Sequence, residues 1–242
     1  MQRLLPDPGP TTVEEQLDGY RPWEQPPADR PLVAMNFAAT VDGRATIGGT
    51  SGKIGSDTDT QMLSRLRTRF DAVMIGAGTM RAERYGRIVS DQRRRDEREQ
   101  LGLPADPLMV IVSGRLDLPW DAPLFTAGGG RVLVFTASEQ EPPETATTVE
   151  VIRHSERVDL AAALAHLRSE CEIQALICEG GPRLHSQLLA GGLVDELFLT
   201  VAPKLTGAGP SIVEGGLPEV AALELAWLLE EKGELFARYR RT

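Results

Sequence analysis

The segment 175–184, which reads ALICEGGPRL, decides the fold of this chain. Four apolar residues predict a short buried strand, Glu179 follows it, and two glycines lead into a helix that opens on Pro182. Glycines let a ligand approach the backbone, and a helix N-terminus offers free N–H groups and partial positive charge. Functional groups of open α/β sheets gather where parallel strands end. The segment therefore favours a parallel α/β sheet with a ligand-binding turn, although a plain turn would also fit.

The same alternation of apolar runs and helical patterns continues along the chain from Pro31, as is typical of βα units on a mostly parallel sheet. Strands are predicted over 32–40, 72–76, 108–113, 131–136, 149–153, 175–178 and 196–202. Helices are predicted over 57–70, 160–168 and 182–190, and a solvated helix with mixed charges over 90–100. The last strands, 223–230 and 234–240, read as an antiparallel hairpin that closes the sheet edge.

Residues 1–30 differ in composition from the rest of the chain, since they are rich in Pro, Asp, Glu and Gly. We expect an irregular N-terminal arm anchored by Tyr20 and Trp23, followed by a single domain over 31–242. Lys and Arg number 26 against 35 Asp and Glu, a net charge of −9, which argues against nucleic acid or a membrane surface as a partner. The sequence contains neither a membrane-length apolar run nor a signal pattern, so we expect a soluble cytoplasmic protein.

Several chemistries find no support in the sequence. It lacks H-E-x-x-H, paired C-x-x-C, G-x-S-x-G and Walker A patterns, so no metal site is expected. His154, His166 and His185 are dispersed and are expected to be surface or half-buried structural residues. Cys178 lies in an apolar strand and is expected to be a buried, inert thiol.

Two further strand ends carry glycines. The segment 72–79, AVMIGAGT, runs into a Gly-x-Gly turn but has Arg81 where a dinucleotide fingerprint has its third glycine. The segment 38–44, AATVDGR, precedes the Gly/Ser/Thr-rich loop 48–52. Each alone is compatible with an ordinary turn, whereas their joint occurrence is specific.

Taken together, these segments resemble the 5-amino-6-(5-phosphoribosylamino)uracil reductases of riboflavin biosynthesis, from about Leu32 to Arg240. The matching segments are TVDG at 40–43, LR at 66–67 with DA at 71–72, GAGT at 76–79, EGGP at 179–182 and LVDE at 193–196 followed by AP at 202–203. The resemblance implies an α/β, dihydrofolate-reductase-like fold: a mostly parallel sheet with helices on both faces and a C-terminal hairpin. It is closest to the stand-alone members, and a deaminase module is not expected.

The resemblance also implies an NADPH site and a phosphorylated pyrimidine substrate. Ala39 is expected on the nicotinamide side, Ser113 with Arg115 at the adenosine 2′-phosphate, and the turn at 180–186 on the pyrophosphate. The full set expected at the cofactor is Ala39, Asp59, Gly76, Gly78, Thr79, Glu83, Ser113, Arg115, Gly180, Gly181, Pro182, Arg183 and Leu184. The Gly180-Gly181 bond is expected to be cis, and the protein to be a homodimer.

On the substrate side, the resemblance places Ser51 and Arg67 at the phosphoribosyl-pyrimidine and Glu179 at the pyrimidine ring. Glu179 and Asp42 are the candidate catalytic residues. Asp42 has the alternative role of stabilising its own turn by hydrogen bonds. The segment 83–88, ERYGRI, departs from the family's Asp-x-Pro-x-Leu-Thr pattern. Three functions are therefore compatible with the sequence. One is a reductase that transfers hydride to the sugar C1′ of the ribosylaminouracil phosphate, the second is a pterin reductase, and the third is an NADPH-binding protein without turnover.

Overall fold

An 11-stranded sheet organises the computed structural model, which describes residues 1–214 and 216–242. Its strands are β1 (Gln2–Leu5), β2 (Gly9–Pro10), β3 (Leu32–Thr40), β4 (Ala72–Gly76), β5 (Leu108–Ser113), β6 (Arg131–Thr136), β7 (Thr148–Arg153), β8 (Ala175–Cys178), β9 (Glu196–Ala202), β10 (Leu223–Glu231) and β11 (Glu234–Arg241). Its helices are α1 (Val13–Asp18), α2 (Asp57–Arg67), α3 (Ala77–Glu83), α4 (Gln92–Gln100), α5 (Pro123–Thr126), α6 (Leu160–Ser169) and α7 (Pro182–Ala190), with a 3-10 turn at Pro22–Glu24. None of the helices in the described ranges is long and apolar enough to cross a membrane.

The strand order is β2-β1-β10-β11-β9-β3-β8-β4-β5-β6-β7. The strands from β9 to β7 run parallel to one another, whereas β11, β10, β1 and β2 continue the sheet in antiparallel fashion. The predicted parallel sheet and C-terminal hairpin are therefore confirmed. Six of the seven predicted parallel strands have the predicted bounds, and β7 begins one residue earlier.

Helices cover both faces of the sheet, as predicted. Successive side chains of a strand point to opposite faces. In β4, Val73 and Ile75 enter one apolar cluster with Met62 of α2, whereas Met74 enters a second cluster with Leu164 of α6. Each face of the central strands is thus buried under its own helices, which explains their continuous apolar sequences.

The N-terminal arm is ordered, so the expectation of an irregular segment was wrong. β1 pairs with β10 in antiparallel register, and α1 begins with a capping box in which Thr12 and Glu15 bond each other's backbone N–H groups. The hairpin therefore does not close the sheet edge, because β1 and β2 lie beyond it. The division between arm and domain near residue 30 stays a prediction.

Tyr20 anchors the arm, as expected, and does so through a buried ion pair. Its hydroxyl donates to Glu196 Oε2 at 2.6 Å, and Arg238 pairs with both oxygens of that carboxylate. The guanidinium carbon of Arg238 also lies 4.4 Å from the centroid of the Tyr20 ring. We call Tyr20, Glu196 and Arg238 the amino-edge cluster, because Glu196 begins β9 at the amino edge of the parallel strands. Trp23, the second expected anchor, packs against the same core.

Helix α4 corrects a second expectation, that of a wholly solvated charged helix. Arg98 is fully buried and donates to the carbonyls of Arg67 at 2.9 Å, Phe70 at 2.7 Å and Pro104 at 2.8 Å. A helix C-terminus leaves its last carbonyls without intrahelical partners, and a buried guanidinium can satisfy several of them. Arg98 thus supports the end of α2, which stops at Arg67 rather than at the predicted residue 70.

Candidate active site

A cavity of about 960 Å³ opens at the carboxyl ends of four parallel strands. Ala38 of β3, Gly76 of β4, Ser113 of β5 and Glu179 after β8 all lie in its wall. The three glycine-bearing segments of the sequence meet here because parallel strands end on the same edge of a sheet. The other expected site residues in its lining are Ser51, Asp59, Arg67, Gly78, Thr79, Glu83, Gly181, Pro182, Arg183 and Leu184.

The Gly180–Gly181 turn forms one wall of this cavity, and its peptide bond is cis, as the resemblance implies. The N–H of Gly76 donates to the carbonyl of Gly180 at 2.7 Å, which joins the turn to β4. A Cβ added to Gly181 would lie 2.9 Å from Thr79 Oγ1. Within the described residues no side chain caps α7 at Gly181, so this helix N-terminus has N–H groups for a ligand.

A second wall holds three polar side chains that we call the carboxyl-edge cluster: Arg67, Glu179 and Tyr85. Arg67 Nε and Nη2 donate to the two oxygens of Glu179 at 2.7 and 2.6 Å. The Tyr85 hydroxyl donates to Glu179 Oε2 at 3.1 Å, and the Arg67 guanidinium carbon lies 5.6 Å from the Tyr85 ring centroid. The Glu179 side chain is 4% exposed and that of Arg67 18% exposed.

The charges within this cluster stabilise one another. Burial disfavours the charged form of Arg67, but the Glu179 carboxylate outweighs it and raises the pKa of Arg67 above its ordinary value. Burial and the Glu179 charge also raise the pKa of the Tyr85 phenol, which therefore keeps its proton and donates it in the hydrogen bond. Arg67 and Tyr85 therefore both keep their protons and donate them to Glu179.

Sequence reasoning missed Tyr85, which lies in the segment that departs from the family pattern. Tyr85, Gly86, Arg87 and Ile88 all line the cavity, so this different loop still forms part of the site. The signal available in the sequence was a single aromatic residue in a polar stretch, and its partner Glu179 is 94 residues away.

Three expected cofactor residues, Ala39, Gly180 and Arg115, lie outside the cavity lining. Ala39 is 3% exposed, and the preceding Phe37 and Ala38 line the cavity, so the place of Ala39 at the nicotinamide stays a prediction. Gly180 contributes backbone behind the turn, and Arg115 is exposed near Ser113.

Asp42 also lies outside the lining, and its carboxylate holds two loops together. It accepts hydrogen bonds from Thr40 Oγ1 at 2.6 Å and from the N–H groups of Thr206 at 3.3 Å and Gly207 at 2.7 Å. These bonds, led by that from Thr40, lower the pKa of Asp42. The geometry favours the alternative role of Asp42, tying down its turn together with the loop that brings Pro210 to the cavity.

His185 is buried, which corrects the expectation of a surface or half-buried histidine. Its ring lies 5.1 Å from that of Phe37, and Nε2 is 3.3 Å from the carbonyl oxygen of Cys178. Burial lowers the pKa of His185 to about 4, so the ring is neutral under ordinary conditions. Cys178 itself is fully buried, as predicted, and burial raises the pKa of its thiol to about 12. Over the described ranges, no group of three or more His, Cys, Asp or Glu side chains could hold a metal ion.

Comparison with known proteins identifies the family. The family model described as the RibD C-terminal domain matches residues 31–231. This chain belongs to that family. It is 31% identical to the 2,5-diamino-6-ribosylamino-4(3H)-pyrimidinone 5′-phosphate reductase of Archaeoglobus fulgidus, over 77% of this chain and 87% of the relative. The reductase of the same name from Methanothermobacter thermautotrophicus is also 31% identical, over 79% of this chain and 88% of the relative.

A solved structure gives the same answer for the fold. The crystal structure of a pyrimidine reductase-like protein from Corynebacterium diphtheriae superposes with a TM-score of 0.77 at 25% identity, covering 96% of this chain and 99% of that chain. The resemblance drawn from the sequence and the dihydrofolate-reductase-like fold that it implies are confirmed.

Proposed function

We propose that this protein is an oxidoreductase of riboflavin biosynthesis that reduces a ribosylaminopyrimidine 5′-phosphate with NADPH. The observation that carries the proposal is one cavity with two unlike walls. One wall has an uncapped helix N-terminus at Gly181, suited to a pyrophosphate, and the other has the carboxyl-edge cluster, suited to a polar ring. The names of the two relatives above support the substrate class.

The residues present fit a nicotinamide dinucleotide. Gly181 has no side chain, and a Cβ at this position would meet Thr79 at 2.9 Å, so only glycine leaves the N–H groups of this turn accessible. Gly76, Gly78 and Thr79 would border the pyrophosphate, and Ala38 with Ala39 the nicotinamide. Ser113 would meet the adenosine 2′-phosphate, with Arg115 able to reach it from the surface. When bound, the reduced cofactor supplies a hydride from nicotinamide C4.

The carboxyl-edge cluster would hold the pyrimidine. Because Glu179 engages Arg67 Nε and Nη2, Nη1 is the nitrogen of Arg67 that can meet a ligand. Arg67 and Glu179 contact each other and so contact the same end of the substrate. Ser51, whose hydroxyl donates to Glu83 at 2.8 Å, would close the entrance beside that end. The protein's task is to hold the two ligands in line, which accounts for much of the rate without a covalent nucleophile.

The direct test is an optical assay of NADPH oxidation. We expect turnover with 5-amino-6-(5-phosphoribosylamino)uracil or its 2,5-diaminopyrimidinone counterpart, and none with dihydrofolate. Turnover with dihydrofolate alone would favour the pterin reductase. Tight NADPH binding without turnover on any of the three would favour a binding protein, and equal affinity for NADPH and NADH would contradict the role of Ser113 and Arg115.

We further propose a homodimer and a boundary between arm and domain near residue 30. Light scattering of the purified protein gives the first directly, and a monomer would contradict it. Because β1 is part of the sheet, deletion of residues 1–30 is expected to lower the thermal midpoint while NADPH binding persists.

A further inference from the structure

Asp59 is a cavity-lining carboxyl in the first turn of α2. Ser56 caps this helix and donates no side-chain bond to Asp59, since its hydroxyl proton goes to Glu234. The Asp59 side chain folds over Gly55, where an added Cβ would lie 2.1 Å from Asp59 Oδ2. The missing side chain of Gly55 is therefore what makes room for the carboxyl.

The surroundings of Asp59 contain little that stabilises a negative charge. Among the described residues, no arginine or lysine forms an ion pair with it, and the Thr200 hydroxyl of β9 is the polar side chain that lowers its pKa. Glu234 of β11 lies close enough to repel it, and Lys204 is directed to the carbonyls of Lys53 and Ile54. Burial raises the pKa of Asp59 above its ordinary value, and the nearby Thr200 hydroxyl lowers it by less.

The register of the sheet places Asp59 beside the expected nicotinamide. Thr200, whose hydroxyl acts on the pKa of Asp59, is paired with Ala38 in the β3–β9 register, and Ala38 lines the cavity. Reacting atoms must approach within about 3–3.5 Å, so the sugar C1′ has to lie against the nicotinamide. An acid that acts on the oxygen attached to C1′ must therefore lie in this part of the cavity.

The other ionisable groups of the wall are less suited to donate a proton. Glu179 is a carboxylate held by Arg67, and the proton of Tyr85 is committed to Glu179. His185 is neutral and engaged with a backbone carbonyl. Glu83 accepts the Ser51 hydroxyl in an exposed position, and Glu214 pairs with Arg183 Nε at 3.6 Å.

We propose, on the basis of the proposed function, that Asp59 is the proton donor that opens the ribosylamine ring. The C1′–O4′ bond breaks, O4′ takes the Asp59 proton and becomes a hydroxyl, and the lone pair of the exocyclic nitrogen forms a protonated C1′=N bond. The reduced cofactor, when bound, would supply the hydride that adds to C1′, and the C=N electron pair would return to nitrogen. Asp59 is left as a carboxylate and regains its proton from water.

The principal test compares Asp59→Asn with Asp57→Asn, which makes the same change on an exposed residue of the same helical turn outside the cavity. Asp59→Asn is expected to lower single-turnover reduction by about 100-fold or more, the usual contribution of a general acid. NADPH affinity, followed by fluorescence, is expected to change less than about threefold, and Asp57→Asn to match the wild type in both.

The pH profile separates chemistry from structure. An acid catalyst must be protonated, so the wild-type rate is expected to fall as pH rises through the pKa of Asp59. The pH–rate profile of Asp59→Asn is expected to lack this alkaline limb. Thr200→Val removes the hydroxyl that lowers this pKa, and the alkaline fall in rate is expected to move to higher pH. The half-buried carboxyl also opposes folding once ionised, so Asp59→Asn is expected to be at least as stable as the wild type at neutral pH.

Two failures are distinguishable. A wild type that binds NADPH but reduces no ribosylaminopyrimidine phosphate overturns the proposed function and this inference with it. An active wild type whose Asp59→Asn variant keeps its rate and its alkaline limb overturns the inference alone. A limb that does not move in Thr200→Val also overturns it.

Discussion

Two clusters in this protein contain the same three residue types in nearly the same arrangement. In both, an arginine pairs with both oxygens of a glutamate, a tyrosine donates to that glutamate, and the guanidinium lies against the tyrosine ring. The carboxyl-edge cluster lines the cavity of about 960 Å³ between the ends of four parallel strands. The amino-edge cluster joins the N-terminal arm to β9 and β11, beside a smaller cavity of about 570 Å³.

The difference between the clusters lies in their position in the fold. A buried ion pair is costly to desolvate and is weak evidence for stability or function by itself. At the carboxyl edge of the parallel strands, loops and a helix N-terminus surround one cavity. At the amino edge of this protein, the N-terminal arm packs against the sheet. We therefore assign catalysis to one cluster and attachment of the arm to the other. The predictions below test that assignment by making matched changes in both.

The largest effect is expected from Glu179→Gln. Removing this charge disturbs both groups proposed to hold the pyrimidine, because Arg67 loses the two charge-assisted hydrogen bonds that fix it. We expect kcat/KM to fall about 1,000-fold, or about 4 kcal/mol. The free energy of unfolding should change less than in the matched amino-edge variant, because this pair lines the active-site cavity and attaches no arm to the sheet. A stable variant with wild-type kcat/KM would contradict the assignment.

Glu196→Gln makes the same change in the amino-edge cluster and is expected to act on stability. Arg238 and Tyr20 would lose the buried carboxylate that joins the arm to β9 and β11, so the free energy of unfolding should fall by about 3 kcal/mol. Denaturant titration measures this loss. The kcat/KM of the folded variant should match the wild type, and a selective loss of activity would show that the two clusters are not separate in function.

Gly181→Val tests the cofactor wall. The added side chain would meet Thr79 and cover the N–H groups of the turn, and we expect NADPH affinity to fall about 100-fold. Gly19→Val is the matched control beside the amino-edge cluster, where an added Cβ has no heavy atom within 4 Å in the described residues. Normal NADPH binding by a folded Gly181→Val protein would remove this turn from the site.

The smallest effects are expected from removing each tyrosine hydroxyl. Hydrogen bonds to charged groups contribute about 1.5–3 kcal/mol, and the arginine still holds the glutamate in both clusters. Tyr85→Phe is expected to raise KM about tenfold with little change in the thermal midpoint. Tyr20→Phe should lower the free energy of unfolding by about 1.5 kcal/mol and leave KM unchanged. The opposite pattern would reverse the roles of the two clusters.

Much of the fold was predictable because its central strands are apolar on both faces. The segments 72–76 and 108–113 are apolar up to their final glycine or serine, so the ends of both strands are visible in the sequence. The arm was missed because β1 is stabilised by pairing with β10, more than 200 residues away, although the Thr12–Glu15 capping box was visible. Local patterns do not report such distant pairing.

The site was predictable in its glycine turns and less so in its side-chain partners. The turn at Gly181 follows from local sequence, whereas the contact of Tyr85 with Glu179 depends on how two distant loops meet. Ala38 lines the cavity and Ala39 does not, and the bounds of β3 alone do not distinguish the two. Arg98 reads as one more charge in a charged helix until its buried carbonyl partners are known.

The most direct test of the central claim, that this cavity transfers hydride to the sugar of a ribosylaminopyrimidine phosphate, is to follow a deuterium label. NADPH carrying deuterium at both C4 positions would be incubated with the enzyme and 5-amino-6-(5-phosphoribosylamino)uracil or its 2,5-diaminopyrimidinone counterpart, and the product analysed by mass spectrometry and NMR. We predict one deuterium per product molecule, bound to C1′ of an opened sugar chain. A product without deuterium, or with deuterium in the pyrimidine ring, would contradict the account.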